Sequence, residues 1–78
     1  MDWQPYITSD KTVLRGKPVI KGTRISVELV LELMENGWTE TMILDSYPHL
    51  KKVQLQAVYA FLRDGVSNEL YTPLGKRA

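Results

Sequence analysis

No cysteine occurs in this chain of 78 residues, and a single histidine, His49. The first absence excludes disulfide staples and thiolate metal sites. The second leaves too few imidazoles for a multi-histidine zinc site. Long apolar runs are also missing. No stretch approaches the roughly 20 residues that span a bilayer. The opening MDWQPYITSD has no basic n-region and no apolar h-region, so it does not read as a signal peptide. A soluble, cytoplasmic protein without a cofactor is expected. Sheer size is scarce too. So short a chain is one small domain, and a core of that size is marginal without a metal, disulfides or a partner subunit. With metal and disulfides set aside, a homodimer is the expected source of extra stability.

Net charge is low as well, only +1, and the pI of about 8.0 lies below the value above 9 typical of a strongly basic DNA-binding domain. The order of the charges carries more information. Five bases and no acid occupy Lys11 to Val27: Lys11, Arg15, Lys17, Lys21 and Arg24. Five acids and no Lys or Arg occupy Glu28 to Leu50: Glu28, Glu32, Glu35, Glu40 and Asp45. From Lys51 onward bases lead again, with Lys51, Lys52, Arg63, Lys76 and Arg77 against Asp64 and Glu69. Such segregation makes a dipolar surface, one part of which can meet polyanions. The plainer reading is that blocks this short belong to an ordinary solvated surface.

What is present organises into a clip and three helices. Residues 5–8 read as a short strand. Residues 18–25 read as two strand pieces around a tight Lys21–Gly22 turn, where glycine tolerates positive φ. Ser26 is an N-cap for a first helix whose apolar positions Val27, Leu29, Val30, Leu31, Leu33 and Met34 span roughly 200° at about 100° per residue. An arc this wide predicts cover on two sides. Glu28, Glu32 and Glu35 form its polar stripe. Asn36–Gly37 ends the helix, with Gly37 at the left-handed cap position and Trp38 folding back over the last turn. Thr39 caps a short second helix, Glu40 to about Ser46, with Met42, Ile43 and Tyr47 inward. Pro48 stops it. A third helix is predicted from Lys52 to Arg63, stopping at Asp64–Gly65, with Leu55, Val58, Phe61 and Leu62 inward. Residues 66–78 read as a loose tail.

Three short helices joined by tight turns match the helix-turn-helix pattern, in which the second helix of the pair enters the major groove. That helix here is the third. Its outward stripe is Lys52, Gln56, Tyr59 and Arg63. Lys52 and Arg63 suit phosphates or guanine, Gln56 suits adenine, and the Tyr59 hydroxyl suits a phosphate. The competing reading is the polar face of any amphipathic helix. His49 has no nucleophile or carboxylate arranged with it and reads as a turn residue beside Tyr47. The three glutamates of the first helix read as a solvated stripe rather than a metal site. Gly16 and Gly22 do not form a phosphate loop, because the G-x-x-x-x-G-K-[ST] order is absent. No catalytic constellation is present, and no enzyme is expected.

The run ITSD…LRGKPVIKGTRISVELVLELMENGWTE…ILDSYPHL…VQLQAVYAF resembles the family known as domain of unknown function 433. Shared features are an I-x-x-D start, a G-x-P-x-x-x-G-T-R-I clip, a G-W turn and a Y-P-x-L link, which place Gly16, Pro18, Gly22, Thr23, Arg24, Gly37, Tyr47 and Pro48 on the family's pattern. The likeness covers roughly residues 6–62. Two positions depart from it: Lys51, where Thr or Ser is common as the cap of the third helix, and Arg15, where a second glycine is common. The resemblance implies a compact helix-turn-helix domain with a small β element, acting as a VapB-like antitoxin beside a PIN-like ribonuclease toxin. Arg24 has two readings: buried against an acid such as Asp10 or Glu28, which is favoured, or projecting to a phosphate.

The combined expectation is a mainly α, three-helix, winged-helix-like helix-turn-helix domain over residues 1–65, with a small N-terminal β element and a tail over 66–78. Its expected role is an antitoxin-type repressor that binds double-stranded DNA through Lys52, Gln56, Tyr59 and Arg63, with Lys17 and Lys21 of the clip. The alternative is a module that blocks a PIN-like toxin without touching DNA.

Overall fold

In the computed structural model, residues 1–67 are described. They form two short strands followed by three helices: β1 (Ile7–Thr8), β2 (Val19–Ile20), α1 (Val27–Glu35), α2 (Glu40–Ser46) and α3 (Lys52–Ser67). The fold is mainly α with a small N-terminal β element.

The strands pair antiparallel, Ile7 with Ile20 and Thr8 with Val19. The predicted partner of Val19–Ile20 was the segment after the turn, and here the structure differs. That segment contributes a single bridge, Val19 to Ser26, and the Ile25 carbonyl, which accepts from the Ile20 amide at 2.9 Å. The chain turns at Lys21–Gly22, where the Thr23 amide donates to the Ile20 carbonyl at 3.0 Å. Gly22 sits at φ +82°, the positive value that a type II turn demands at that position. The Thr23 hydroxyl completes the closure, donating to the Ile20 carbonyl at 2.7 Å and accepting from the Ile25 amide at 3.0 Å. Pro18 accepts from the Val27 amide at 3.0 Å, tying the clip to the first turn of α1.

Each helix end has a local cause. The Ser26 hydroxyl accepts from the Leu29 amide at 2.9 Å. At the far end of α1, the Gly37 amide bonds the Met34 carbonyl and the Trp38 amide bonds the Leu33 carbonyl, each at 3.0 Å. That crossed pair, with Gly37 at φ +90°, is a Schellman motif. Thr39 caps α2 through the Met42 amide, and the Met42 sulfur accepts from the Thr39 amide. This return contact holds Met42 at the surface, 44% exposed, and corrects its predicted inward position. Ile43 is buried, while Leu44 and Tyr47 pack beside it. At the start of α3 the Lys51 side chain offers no acceptor. Instead, the Gln54 side chain reaches back to the Lys51 amide at 2.7 Å.

The core joins Ile7 and Ile20 of the sheet to Val27 and Val30 of α1, Ile43 of α2, Leu50 of the link, and Leu55, Ala57 and Val58 of α3. Ile25, Phe61 and Leu62 pack against it. Ala57 was absent from the predicted inward face. Helix α3 continues through Asp64–Gly65 to Ser67, past its predicted stop. Trp3 meets this end of the helix. Its ring meets Phe61 edge-on, centroids 4.7 Å apart at 88°, and its indole N–H donates to Asp64 Oδ2, so the N-terminal segment braces the last turns. The remainder of the tail, residues 68–78, lies outside the described residues.

Candidate nucleic-acid interface

Lys52, Gln56, Tyr59 and Arg63 fall within about 60° of one another on α3 at about 100° per residue. Ala57 and Val58, which are buried, lie 100° or more away around the helix, and buried Leu55 adjoins the stripe at its Tyr59 edge. Lys52, Gln56 and Arg63 are exposed. None of the three has a side-chain hydrogen bond or ion pair with another described residue. They are therefore unencumbered donors on one helical face, with the five-residue link Tyr47–Lys51 leading in from α2.

Tyr59 differs from its neighbours. It is half-buried, and its hydroxyl donates to Glu40 Oε2 at 3.1 Å. Partial burial, then the Glu40 hydrogen bond and charge, push its phenol above the ordinary tyrosine range. Its hydroxyl proton is thus committed to α2, so this member of the stripe links α2 to α3. The same stripe meets a shallow hollow of about 440 Å³, lined by Tyr59, Ala60, Arg63, Asp64 and Ser67 with Met1.

The clip residues separate in the same way. Lys17 Nζ lies 2.6 Å from Glu28 Oε1, which joins the clip to α1 and occupies one of the cations assigned to DNA. Lys21 and Arg24 are exposed and unpaired among the described residues. The favoured burial of Arg24 against an acid is thereby corrected. Glu28 is taken by Lys17, and Asp10 accepts from the amide and hydroxyl of Thr12 at 2.9 and 2.7 Å. Those two donors pull the Asp10 carboxyl below its ordinary range. Ordering of the clip falls to Thr23, not Arg24.

A second feature of the clip is its backbone. Leu14, Arg15 and Gly16 take φ of +49°, +59° and +81° in succession. Only the last is a glycine, and a left-handed residue with a side chain is costly. Pro18 enters the clip next, half-buried. Tyr47 packs on the core while Pro48 and His49 are exposed. Among the described residues, no group of three or more acids and histidine is gathered to hold a metal, and no helix is long and apolar enough to cross a membrane.

Sequence reasoning missed Trp3, the Tyr59–Glu40 bond and the Lys17–Glu28 pair. Their partners are 61, 19 and 11 residues away, beyond any local spacing rule. Neither a curated protein nor a solved structure matches the chain. The family described as Protein of unknown function (DUF433) matches residues 7–67, from the first strand to the last turn of α3. By that match the chain belongs to the DUF433 family.

Proposed function

We propose that this protein is a small DNA-binding helix-turn-helix protein, an antitoxin-type repressor of a toxin–antitoxin pair, with α3 as its reading helix. The observation that carries the reading is the set Lys52, Gln56 and Arg63, exposed and unpaired among the described residues, on one face of α3. Two cations can meet phosphate, and the neutral amide between them suits an adenine edge. The resemblance of the clip and the Y-P-H-L link to the DUF433 family, which implies a VapB-like antitoxin, supports the antitoxin role. The test is a mobility shift with the DNA upstream of the protein's own coding sequence and with a scrambled duplex, across a salt series. Specific retardation that weakens steeply with salt is expected. Failure to retard either duplex at low salt would overturn the reading.

A second reading has an observation of its own. Glu28, Glu32, Glu35 and Asp45 are exposed on α1 and α2, a surface that repels phosphate and suits a basic protein partner. On this reading the chain binds and blocks a PIN-like ribonuclease toxin directly. Co-purification of such a toxin with a chain that shifts neither duplex would favour it.

A further inference from the structure

The apolar arc of α1 is only half covered by its own chain. Val27 and Val30 are buried, whereas Leu31 and Met34, three residues apart on one side, are each 41% exposed. Glu28 and Glu35 both lie on the other side of Leu31 from Met34, within about 60° of Leu31 at about 100° per residue. Beside the first turn of α1, Leu14, Arg15, Lys17, Ser26 and Glu28 line an open hollow of about 360 Å³. Leu14 there is 38% exposed. One surface thus runs from a cationic, partly apolar hollow at the N-terminal end of α1 to an apolar pair and a carboxylate near its C-terminal end.

We propose that this surface binds a second copy of the chain, with the two α1 helices antiparallel about a two-fold axis near Leu31. Such an axis brings Glu35 of one copy level with Val27 and Glu28 of the other, on the Glu28 side of the seam, and Met34 to the same level on the Val27 side. Glu35 then reaches the rim of the partner's hollow, where Glu28 is already paired with Lys17 and Arg15 is the charge left to meet it, while Met34 packs beside that rim. Leu31 packs against its own equivalent, as an isologous contact requires. A parallel pairing would instead stack the acidic ends together. Arg15 is exposed and unpaired among the described residues, as is Glu35, so each arrives with its charge available. The charge segregation of the sequence thereby becomes self-complementary across the axis. This inference stands apart from DNA binding, and its test contains no DNA.

The experiment is sedimentation of the full chain over a wide concentration range, with circular dichroism to verify folding. A mass near twice 9.0 kDa is expected at high concentration. Arg15→Glu and Glu35→Arg should each weaken association at least tenfold, and the double exchange should restore it to within a few-fold of the parent. Leu31→Asp, at an exposed position, should give a folded monomer. A parent chain that stays monomeric at every concentration overturns the proposal and leaves the face to a different protein. Association indifferent to Arg15→Glu and Glu35→Arg overturns it as well.

Discussion

One hydroxyl, that of Thr23, holds the two arms of the clip's turn together by giving a bond to Ile20 and taking one from Ile25. Removing it leaves the half-buried Ile25 amide without an acceptor. Thr23→Val keeps the shape and β-branching, so its cost isolates the two bonds, at about 1–2 kcal/mol. Thr23→Ser keeps the hydroxyl and should remain close to the parent in chemical denaturation. If valine were tolerated as well as serine, the clip would owe its order to Gly22 and Ile20 instead. Arg15 presents the opposite case. Its φ of +59° costs a side-chain-bearing residue about 1–2 kcal/mol, and a glycine there gives back about 0.5–1 kcal/mol in unfolded-chain entropy. Arg15→Gly should therefore raise stability by up to about 1 kcal/mol, measured at fixed low concentration because any association shifts apparent stability. A lower denaturation midpoint would show that the arginine side chain contributes more than its backbone strain removes. The glycine common in the family at this position has the same physical basis.

At the scale of elements, the helices differ in how they begin. Ser26 and Thr39 each place an oxygen on an orphan amide, whereas Lys51 leaves α3 with only the return bond from Gln54. Lys51→Ser should supply the missing cap and stabilise by about 1 kcal/mol; thermal denaturation showing no gain would mean that Gln54 already satisfies that end. Between α2 and α3 the Tyr59–Glu40 bond carries a pH dependence. The folded phenol is held above its ordinary range near 10, so the folded state keeps a proton that the unfolded state releases. Its contribution is complete below pH 10 and declines as pH rises through the folded value. Tyr59→Phe should flatten that alkaline decline, and an unchanged profile in pH-resolved unfolding would refute the linkage. The caps, the Gly37 ending and the Ile43, Leu55 and Val58 core positions were legible in the sequence because each is set by neighbours within a few residues. Met42 was misplaced because its sulfur serves the cap at Thr39, which apolar periodicity does not register. Helix α3 outran its predicted end at Asp64–Gly65, and its bond to Trp3, 61 residues from Asp64, is one that no local rule registers. Of the candidate site, exposure of Lys52, Gln56 and Arg63 followed from periodicity, while the bonds that commit Tyr59 and Lys17 required the tertiary fold.

For the whole molecule, the acidic helices and the basic α3 and clip give a dipolar surface with little net charge. Orientation on a polyanion is then set by where the unpaired cations lie, not by their total. If α3 lies in the major groove, Lys52→Ala and Arg63→Ala should each remove about one phosphate contact. Each should lower the salt slope of binding by about one unit and weaken specific and scrambled duplexes alike. Gln56→Ala removes no charge. It should cost roughly 1–3 kcal/mol on the specific duplex alone and leave the slope unchanged. Tyr59→Phe is the internal contrast, because its hydroxyl already serves Glu40, and it should leave both affinities near the parent's. Lys52, Gln56 and Arg63 are exposed, and Tyr59→Phe keeps the ring that packs on the core, so circular dichroism should show intact helices. The measurement is titration of both duplexes at two salt concentrations. Parent-like binding by the Lys52, Gln56 and Arg63 variants together would reject α3 as the reading helix and move the contact to Lys21 and Arg24, two exposed cations of the clip. A loss confined to Tyr59→Phe would instead mean that the α2–α3 angle governs docking.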